Sequence, residues 1–351
     1  MFKEKNTNES SCILLAITVM LAFMSLMLMS SLAQASDGHH KDKHFSHTII
    51  KKEGKTIHQV TMTAMENEVE VDNAGKVKYA AMTFGGTMPG PVVRVTQGDI
   101  IEFTLINPAT NAFPHSMDFH AAVVDVLDEF GAANPGETKK FTFEARYAGL
   151  FMYHCGASPM PMHISRGMFG VIMVDPKEGF TESYPKPDRE YFLVQSQFWP
   201  DPLNIEGMME NTGWTQTLIN GKAFHYTPVH DPASKLVLEA KPGELVRLHY
   251  VNANINNVAS MHPIAGIWDR VYVNGSPKNI MYDMQTHLVP VSGSASYDIV
   301  SPADRPTNNA IVDHNMSSAM RGAITILMNK PDANPELGRG NPENMLLRVK
   351  N

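Results

Sequence analysis

The chain has 351 residues and a formal net charge of −7 at neutral pH. This length is enough for two domains of ordinary size, and the acidic balance argues against a nucleic-acid partner. Residues 1–35 predict a cleaved secretory signal peptide, because two lysines precede a long apolar run and Ala33-Gln34-Ala35 then forms a small-x-small cleavage pattern. The alternative is an uncleaved membrane anchor, since the run is nearly long enough to span a bilayer.

Removal of the signal peptide leaves Cys155 as the single cysteine of an exported protein. We therefore expect a periplasmic or secreted protein with no internal disulfide and no stable membrane insertion. A lone cysteine in an oxidising compartment is a free thiol, an intermolecular bridge or a metal thiolate.

The chain after the cleavage point begins with a polar, histidine-rich stretch at 36–57, which predicts a flexible segment. From residue 58 onward, short apolar runs alternate with Gly, Pro, Asn and Asp, a pattern typical of β-sandwiches. The clearest predicted strands are 92–95, 100–106, 140–143 and 171–174, and a short helix is predicted within 159–168.

The sequence around Gly98 is repeated around Gly243. In both copies a glycine and an acidic residue precede an alternating strand that ends at asparagine, Asn107 in the first copy and Asn252 in the second. A repeat of this length indicates a duplicated domain. We therefore predict an all-β protein of two similar sandwiches, at 58–177 and 178–330, followed by a loose tail at 331–351.

One short segment supplies a set of soft metal ligands. Cys155, His163 and Met168 offer a thiolate, an imidazole and a thioether. Together with one earlier histidine they make the donor set of a blue-copper electron-transfer site, and His115 is the natural choice. A cysteine–histidine pair alone is more often core packing, but this spacing with an upstream histidine is far more specific.

Strand alternation predicts a second site on the opposite face. Neighbouring strand residues point to opposite sides of a sheet, so His154 and Cys155 do not readily bind one metal. His115 and His120 also differ in parity. If His115 and Cys155 face the interior, His120 and His154 face outward, and Asp118 shares the parity of His120.

Two outward imidazoles make an incomplete transition-metal site. A catalytic metal needs a third protein ligand and keeps a further position open. His314 is the candidate, because it lies near the place in the second sandwich that corresponds to the Cys155 strand. The peptide link between His154 and Cys155 would then couple the two metals.

At these residues the sequence resembles the copper-containing nitrite reductases, over essentially the whole mature chain. The resemblance implies an all-β fold of two tandem cupredoxin-like Greek-key β-sandwiches and reduction of nitrite to nitric oxide. The matching motifs are His115-Ser-Met-Asp118-Phe-His120-Ala-Ala, Tyr153-His154-Cys155, Met162-His163, Gly167-Met168-Phe-Gly170, Ser260-Met-His262-Pro-Ile264 and Asp313-His314-Asn315.

By that resemblance, His115, Cys155, His163 and Met168 hold a type 1 copper. His120, His154 and His314 hold a type 2 copper, with His314 contributed by a neighbouring subunit of a homotrimer. Asp118 and His262 would deliver protons, and Ile264 would shape the nitrite pocket. A small donor protein, a cytochrome c or a cupredoxin, would pass its electron to the type 1 copper and from there to the type 2 copper.

Two other classes of protein compete with this interpretation. A laccase-like two-domain multicopper oxidase needs paired His-x-His motifs for a trinuclear cluster, but residue 117 is Met and residue 156 is Gly. A simple copper electron carrier would not need His120, His154 and His314, and all three are present. Core packing remains the expectation for the other histidines, namely His58, His225, His230, His249 and His287.

Overall fold

The computed structural model describes residues 44 to 347. The predicted signal peptide at 1–35 lies outside these residues, as do the first part of the histidine-rich segment and the last four residues of the predicted tail. Among the described residues, no helix is long and apolar enough to cross a membrane.

The first sandwich is built from two facing sheets. One sheet has the strand order β1-β2-β5-β7, with β3 also paired to β2, and the other has the order β4-β9-β8-β6. In β5, Ile101, Phe103 and Leu105 are buried while the residues between them face outward, as expected for a sheet with one solvated face. The strands are β1 (Phe45–Lys52), β2 (Lys55–Glu70), β3 (Lys78–Phe84), β4 (Val93–Thr96), β5 (Ile100–Ile106), β6 (Asp118–Phe119), β7 (Thr138–Glu144), β8 (Gly149–His154) and β9 (Phe169–Asp175).

The second sandwich has sheets of order β11-β10-β13-β18-β15-β16 and β12-β20-β19-β14-β17. Its core contains Trp268 and Tyr297, both fully buried with ring centroids 4.5 Å apart. The strands are β10 (Arg189–Phe198), β11 (Gln216–Ile219), β12 (Leu238–Ala240), β13 (Leu245–Asn252), β14 (Ala259–Ile264), β15 (Trp268–Val273), β16 (Ile280–Met284), β17 (His287–Val289), β18 (Ser294–Val300), β19 (Thr307–Asp313) and β20 (Ile324–Asn329).

Short helices lie in the connections: α1 (Met160–Ser165), α2 (Ile205–Glu210), α3 (Met316–Ala319) and α4 (Pro342–Leu346). The helix predicted within 159–168 is α1, and the four predicted strands are β4, β5, β7 and β9. The structure therefore confirms the prediction of an all-β protein made of two sandwiches.

The two sandwiches repeat the same contacts at positions related by the sequence repeat. The repeated strand pairs in parallel with an earlier strand in both, β5 with β2 and β13 with β10. Gly98 and Gly243 both make the preceding turn with positive φ, +94° and +82°, which glycine adopts without strain. The side chains of Asn107 and Asn252 both donate to backbone carbonyls further along the chain, those of Phe113 and Ala133 in the first sandwich and those of Asn257 and Val289 in the second.

An equivalent polar pair links the parallel strands in each half. His58 Nε2 lies 2.8 Å from Asp99 Oδ2 in the first sandwich, and Arg189 Nε lies 2.6 Å from Glu244 Oε2 in the second. Both acidic residues directly follow the repeated glycine. The duplication predicted from the sequence therefore extends to side-chain pairing.

The structure differs from the prediction at both ends of the described chain. Residues 45–57, expected to be flexible, form β1 and the start of β2 in an antiparallel hairpin. His47 Nε2 lies 2.8 Å from His58 Nδ1, so the chain of polar contacts that reaches Asp99 also ties down β1. Polar composition misled here because backbone pairing and a few side-chain contacts suffice to order a hairpin against an existing sheet.

The predicted loose tail at 331–351 also contains ordered structure. Helix α4 ends at Leu346, which is fully buried, and the Leu346 carbonyl accepts a hydrogen bond of 2.6 Å from the Tyr226 hydroxyl. The side chain of Met345 is buried as well. A few apolar residues at the end of the chain are enough to pack it onto the second sandwich.

A continuous apolar layer lies between the sandwiches, and the described residues belong to one compact unit. Leu150 and Met152 of β8 and Met173 of β9 share a buried cluster with Phe192 and Val194 of β10. Strand β9 is covered on both faces, which explains its nearly uninterrupted apolar sequence. The connection between β9 and β10 spans 176–188 and includes the predicted boundary between residues 177 and 178.

Candidate metal centres

The core of the first sandwich gathers His115, Cys155 and His163, whose ligand atoms lie within 4.8 Å of one another. Cys155 Sγ lies 3.5 Å from His163 Nδ1. The rings of His115 and His163 meet edge to face with centroids 5.2 Å apart. All three residues are fully buried, so this group is a preformed internal donor set.

The backbone between Cys155 and Met168 closes a tight loop around this donor set. Cys155 follows β8, and its N–H donates to the Met168 carbonyl at 3.0 Å, while the Met168 N–H donates to the His163 carbonyl at 3.1 Å. Gly167 permits the reversal with φ of +112°, and a Cβ there would lie 2.7 Å from Met88 Sδ. Met168 is fully buried in the same core cluster as Cys155.

His115 is held from the opposite side of the donor set. Its backbone forms an isolated β-bridge with Ala133. Its Nε2 lies 3.3 Å from Glu66 Oε1, whereas its Nδ1 is buried and has no hydrogen-bond partner among the described residues. A buried polar atom normally has a partner. An unpaired imidazole nitrogen beside a thiol therefore fits a metal ligand better than a packing residue.

Burial sets the protonation of these ligands. Burial raises the pKa of the Cys155 thiol, and burial together with His115 lowers the pKa of His163 to about 4. Burial also lowers the pKa of His115. The imidazoles are therefore neutral near pH 7 with lone pairs available, while the thiol gives up its proton when a metal binds. A thiolate with two imidazoles and a nearby thioether is a donor set that suits copper.

A second group lies at the surface end of the same strands. His154 Nε2 lies 3.0 Å from His120 Nε2 and 3.7 Å from Asp118 Oδ2. Asp118 and His154 are cross-strand partners of β6 and β8, which places their side chains on the same face. His154 Nδ1–H donates to the Cys155 carbonyl at 3.0 Å, which leaves its Nε2 lone pair directed at His120.

The predicted residues of the second sandwich form a separate surface group. The rings of His262 and His314 have centroids 5.5 Å apart. His262 Nδ1–H donates to the Gln285 carbonyl at 2.6 Å, and Ile264 and His314 are both exposed. Among the described residues, the ligand atoms of Asp118, His120 and His154 lie within 4.8 Å of one another. His314 of the same chain is not part of this group. One chain therefore holds two separated halves of the predicted second site.

Asp313 is a residue of this region to which the sequence reasoning assigned no role. It stands in the second sandwich where Cys155 stands in the first. Cys155 Sγ accepts from Ser116 N at 3.4 Å, and Asp313 Oδ1 accepts from Ser260 N at 2.8 Å. Asp313 Oδ2 also accepts from Gln195 Nε2 at 2.8 Å. The carboxylate thus anchors the end of β19 immediately before His314.

A signal for Asp313 was present in the sequence. Ser116-Met117-Asp118 is echoed by Ser260-Met261-His262, and the structure aligns these segments through their pairing with β8 and β19. Extending the repeat to that motif predicts that Asp313 occupies the position in the second sandwich that is equivalent to Cys155 in the first. Glu66 could not be identified from the sequence, because a single acidic residue within a strand belongs to no recognisable motif.

Two tandem β-sandwiches, with a buried thiol and two imidazoles in the first, define a protein of the cupredoxin type whose donor set suits copper. A family model described as multicopper oxidase matches residues 66–179. The chain is 35% identical to the copper-containing nitrite reductase of Neisseria gonorrhoeae over 292 residues, covering 80% of this chain and 70% of that relative. It is 32% identical over 295 residues to the copper-containing nitrite reductase of Rhizobium meliloti, covering 78% and 76% respectively.

A solved copper nitrite reductase from Nitrosomonas europaea is 51% identical, has a TM-score of 0.80, and is matched over 83% of this chain and 100% of its own. This chain belongs to the copper-containing nitrite reductase family. A multicopper oxidase structure at 21% identity and a TM-score of 0.69, covering 84% of this chain and 98% of its own, shares the fold.

Proposed function

We propose that this protein reduces nitrite to nitric oxide, using a type 1 and a type 2 copper in each subunit. The observation that carries the proposal is the adjacency of the two groups through His154 and Cys155. The type 1 ligands are His115, Cys155, His163 and Met168, and the type 2 ligands are His120, His154 and His314. When bound, the first copper would supply one-electron transfer and the second a Lewis-acid position for nitrite.

The residues of the chain connect these two functions directly. Cys155 is buried at the first group, and His154 turns its ring to the second, so consecutive residues span the distance between the sites. The hydrogen bond from His154 Nδ1 to the Cys155 carbonyl holds the imidazole in that orientation. An electron received from a small donor protein, a cytochrome c or a cupredoxin, would follow this path.

Proton delivery is assigned to Asp118 and His262. Conversion of nitrite to nitric oxide and water consumes one electron and two protons, so the site needs groups that donate protons near neutral pH. A carboxyl and an imidazole are suited to this role. Asp118 lies 3.7 Å from the ligand His154, and the Gln285 carbonyl fixes the tautomer of His262 by accepting from its Nδ1. Ile264 would shape the nitrite pocket beside them.

A homotrimer is proposed because each chain exposes both halves of the second site. Several large apolar residues close to both halves along the chain are exposed, and exposed apolar surface often marks an interface. They are Val123, Val126 and Leu127 on the first sandwich and Ile264, Ile267, Leu288, Met316 and Met320 on the second. If His314 of one subunit reaches His120 and His154 of the next, a closed ring completes each site and covers this apolar surface.

The proposed function is tested by anaerobic nitric oxide production from nitrite. The mature copper-loaded protein is compared with His314→Ala and with His230→Ala, a control at an exposed histidine outside both groups. We expect nitric oxide from the wild type and the control, and almost none from His314→Ala. The visible thiolate–copper band should be intact in all three proteins.

Absence of nitric oxide from a fully loaded wild type would contradict the reductase function. Oxygen consumption by that protein would instead favour the multicopper oxidase alternative, and simple electron exchange with a donor would favour an electron carrier. The export signal predicted at 1–35 makes a periplasmic or secreted location part of the same proposal.

A further inference from the structure

The carboxylate of Glu66 reaches from β2 into the loop that carries His115. Its Oε1 accepts hydrogen bonds from Ala112 N at 2.9 Å and Phe113 N at 2.9 Å, and His115 Nε2 lies 3.3 Å away. Its Oε2 accepts from Ala112 N at 3.0 Å. The side chain of Glu66 in β2 therefore contacts both the backbone that precedes His115 and the imidazole of His115.

This contact determines which nitrogen of His115 faces the donor set. A carboxylate accepts hydrogen bonds, so Nε2 carries the proton and Nδ1 keeps its lone pair. Nδ1 is buried and unpaired among the described residues, and His115 belongs to the group with Cys155 and His163. Histidine ligands of metals commonly donate their second N–H to a carboxylate or carbonyl, which orients the ring and raises its basicity.

We propose that Glu66 is a positioning residue of the type 1 copper site and that its negative charge lowers the reduction potential of that copper. The inference rests on the proposed function, because it takes His115 as a copper ligand. Among the described residues, no lysine or arginine lies within 4.0 Å of the Glu66 carboxylate, and its side chain is 18% exposed. A largely buried negative charge bonded to a ligand favours the more positive, oxidised state of the metal.

Two substitutions separate the charge of Glu66 from its hydrogen bonds. Glu66→Gln removes the charge but keeps an oxygen at the Oε1 position, which can still accept from Phe113, Ala112 and His115; only the second contact of Ala112 N, to Oε2, is lost. Glu66→Ala removes both. Glu102→Gln is the matched control, because Glu102 is an exposed carboxylate of the neighbouring strand β5 that is bonded to Gln59.

The measurements are the visible thiolate–copper band, the type 1 reduction potential by spectroelectrochemical titration, and copper affinity by competition with a chelator. For Glu66→Gln we expect an intact band and a potential above those of the wild type and Glu102→Gln. For Glu66→Ala we expect a copper affinity lower by about 10-fold to 100-fold and an altered band, because the His115 ring is no longer oriented.

A potential in Glu66→Gln equal to that in Glu102→Gln would overturn the proposed effect of the charge. Wild-type affinity and band in Glu66→Ala would overturn the positioning role. Failure of the reductase function has a different signature, since the copper-loaded wild type would then produce no nitric oxide while its thiolate–copper band and its response to the Glu66 substitutions are retained.

Discussion

Single residues of the two candidate centres differ sharply in their exposure to water. His115, Cys155 and His163 are fully buried, whereas His120 and His314 are exposed in the single chain. Burial keeps the first group neutral and dry, which suits electron transfer with little reorganisation of its surroundings. The second group can be reached by a small anion and by water, which suits a reaction that consumes protons.

Asp118→Asn tests proton delivery at the residue scale. The amide preserves the size of the side chain but has no exchangeable acid proton of suitable strength, so we expect kcat to fall about 100-fold. Copper content, the visible band and the type 2 electron paramagnetic resonance signal should remain. Asp332→Asn, at an exposed position in the C-terminal region, is the control. An unchanged kcat in Asp118→Asn would remove Asp118 from the mechanism.

At the scale of secondary-structure elements, duplication placed different chemistry at equivalent strand ends. The end of β8 carries a thiol, and the end of β19 carries the Asp313 carboxylate at the same place in the sandwich. Cys155 accepts a weak N–H···S contact, while Asp313 accepts three N–H donors, from Ser260, Asn315 and Gln195. The first sandwich therefore has a candidate metal ligand, Cys155, at this strand end. The second sandwich has the carboxylate of Asp313, which holds the backbone in place.

Asp313→Ala tests this anchor. The substitution leaves three N–H donors without their acceptor, one of them on the fully buried Gln195, and we expect it to lower the free energy of unfolding by about 3 kcal/mol. The type 2 copper signal should be lost because His314 follows directly, while the type 1 band should remain. Urea unfolding and electron paramagnetic resonance measure the two effects.

Asp313→Asn is the conservative partner of that variant. Its amide oxygen retains the contacts to Ser260 and Asn315, and Gln195, whose Oε1 has no partner among the described residues, can turn its amide to accept from the new NH2 group. We expect most of the stability and the type 2 signal to be preserved. Equal losses in both variants would show that charge matters more than hydrogen bonding.

At the scale of the whole molecule, polar contacts join the two sandwiches around their shared apolar layer. Arg94 of β4 is bonded to Asp175 of β9 and also to Glu190 of β10. Elsewhere along the contact, Asn73 Oδ1 accepts from His225 Nδ1 at 2.8 Å. Burial and the nearby Lys222 lower the pKa of His225 to about 4, so this histidine is neutral in the folded protein.

Acid should therefore destabilise the folded protein through His225. The lowered pKa means that the unfolded chain binds the proton more tightly, so the contribution of His225 is complete above pH 6.5 and is lost as the pH falls toward about 4. We expect about 3 kcal/mol of the free energy of unfolding to depend on pH in this window. His225→Gln should flatten the curve obtained by urea unfolding.

His230→Gln, at an exposed histidine of the same loop, is the control for that experiment. An identical pH dependence in wild type and His225→Gln would mean that other groups account for acid sensitivity. The comparison is made with copper-loaded protein in each case, so that metal content does not differ between variants.

Complementation between subunits tests the shared site. His120→Ala and His314→Ala should each be nearly inactive alone, because each removes a type 2 ligand. In trimers reassembled from an equal mixture, about a quarter of the sites should contain both histidines and regain activity. Absence of recovery in mixed trimers, verified by differential tagging, would show that one chain supplies all three ligands of its own site.

The local features of this protein were predictable from its sequence. Strand alternation identified β5, turn glycines identified the duplication, and the spacing of Cys155, His163 and Met168 identified the soft donor set. Each of these signals depends on residues close together in the chain, where backbone geometry alone relates sequence distance to position in space. The composition of residues 45–57 and 331–347 was misleading, because packing against a preformed sandwich ordered segments that have little apolar content of their own.

The amino-acid sequence by itself determined the two-sandwich fold and the residue types available for metal binding. Only the tertiary structure decided that Glu66 meets His115 and that His314 stands apart from His120 within one chain. These relations join residues far apart in the chain, and they depend on strand register and on how the sheets face one another. Local patterns carry no information about such contacts, since the same alternation is compatible with many pairings.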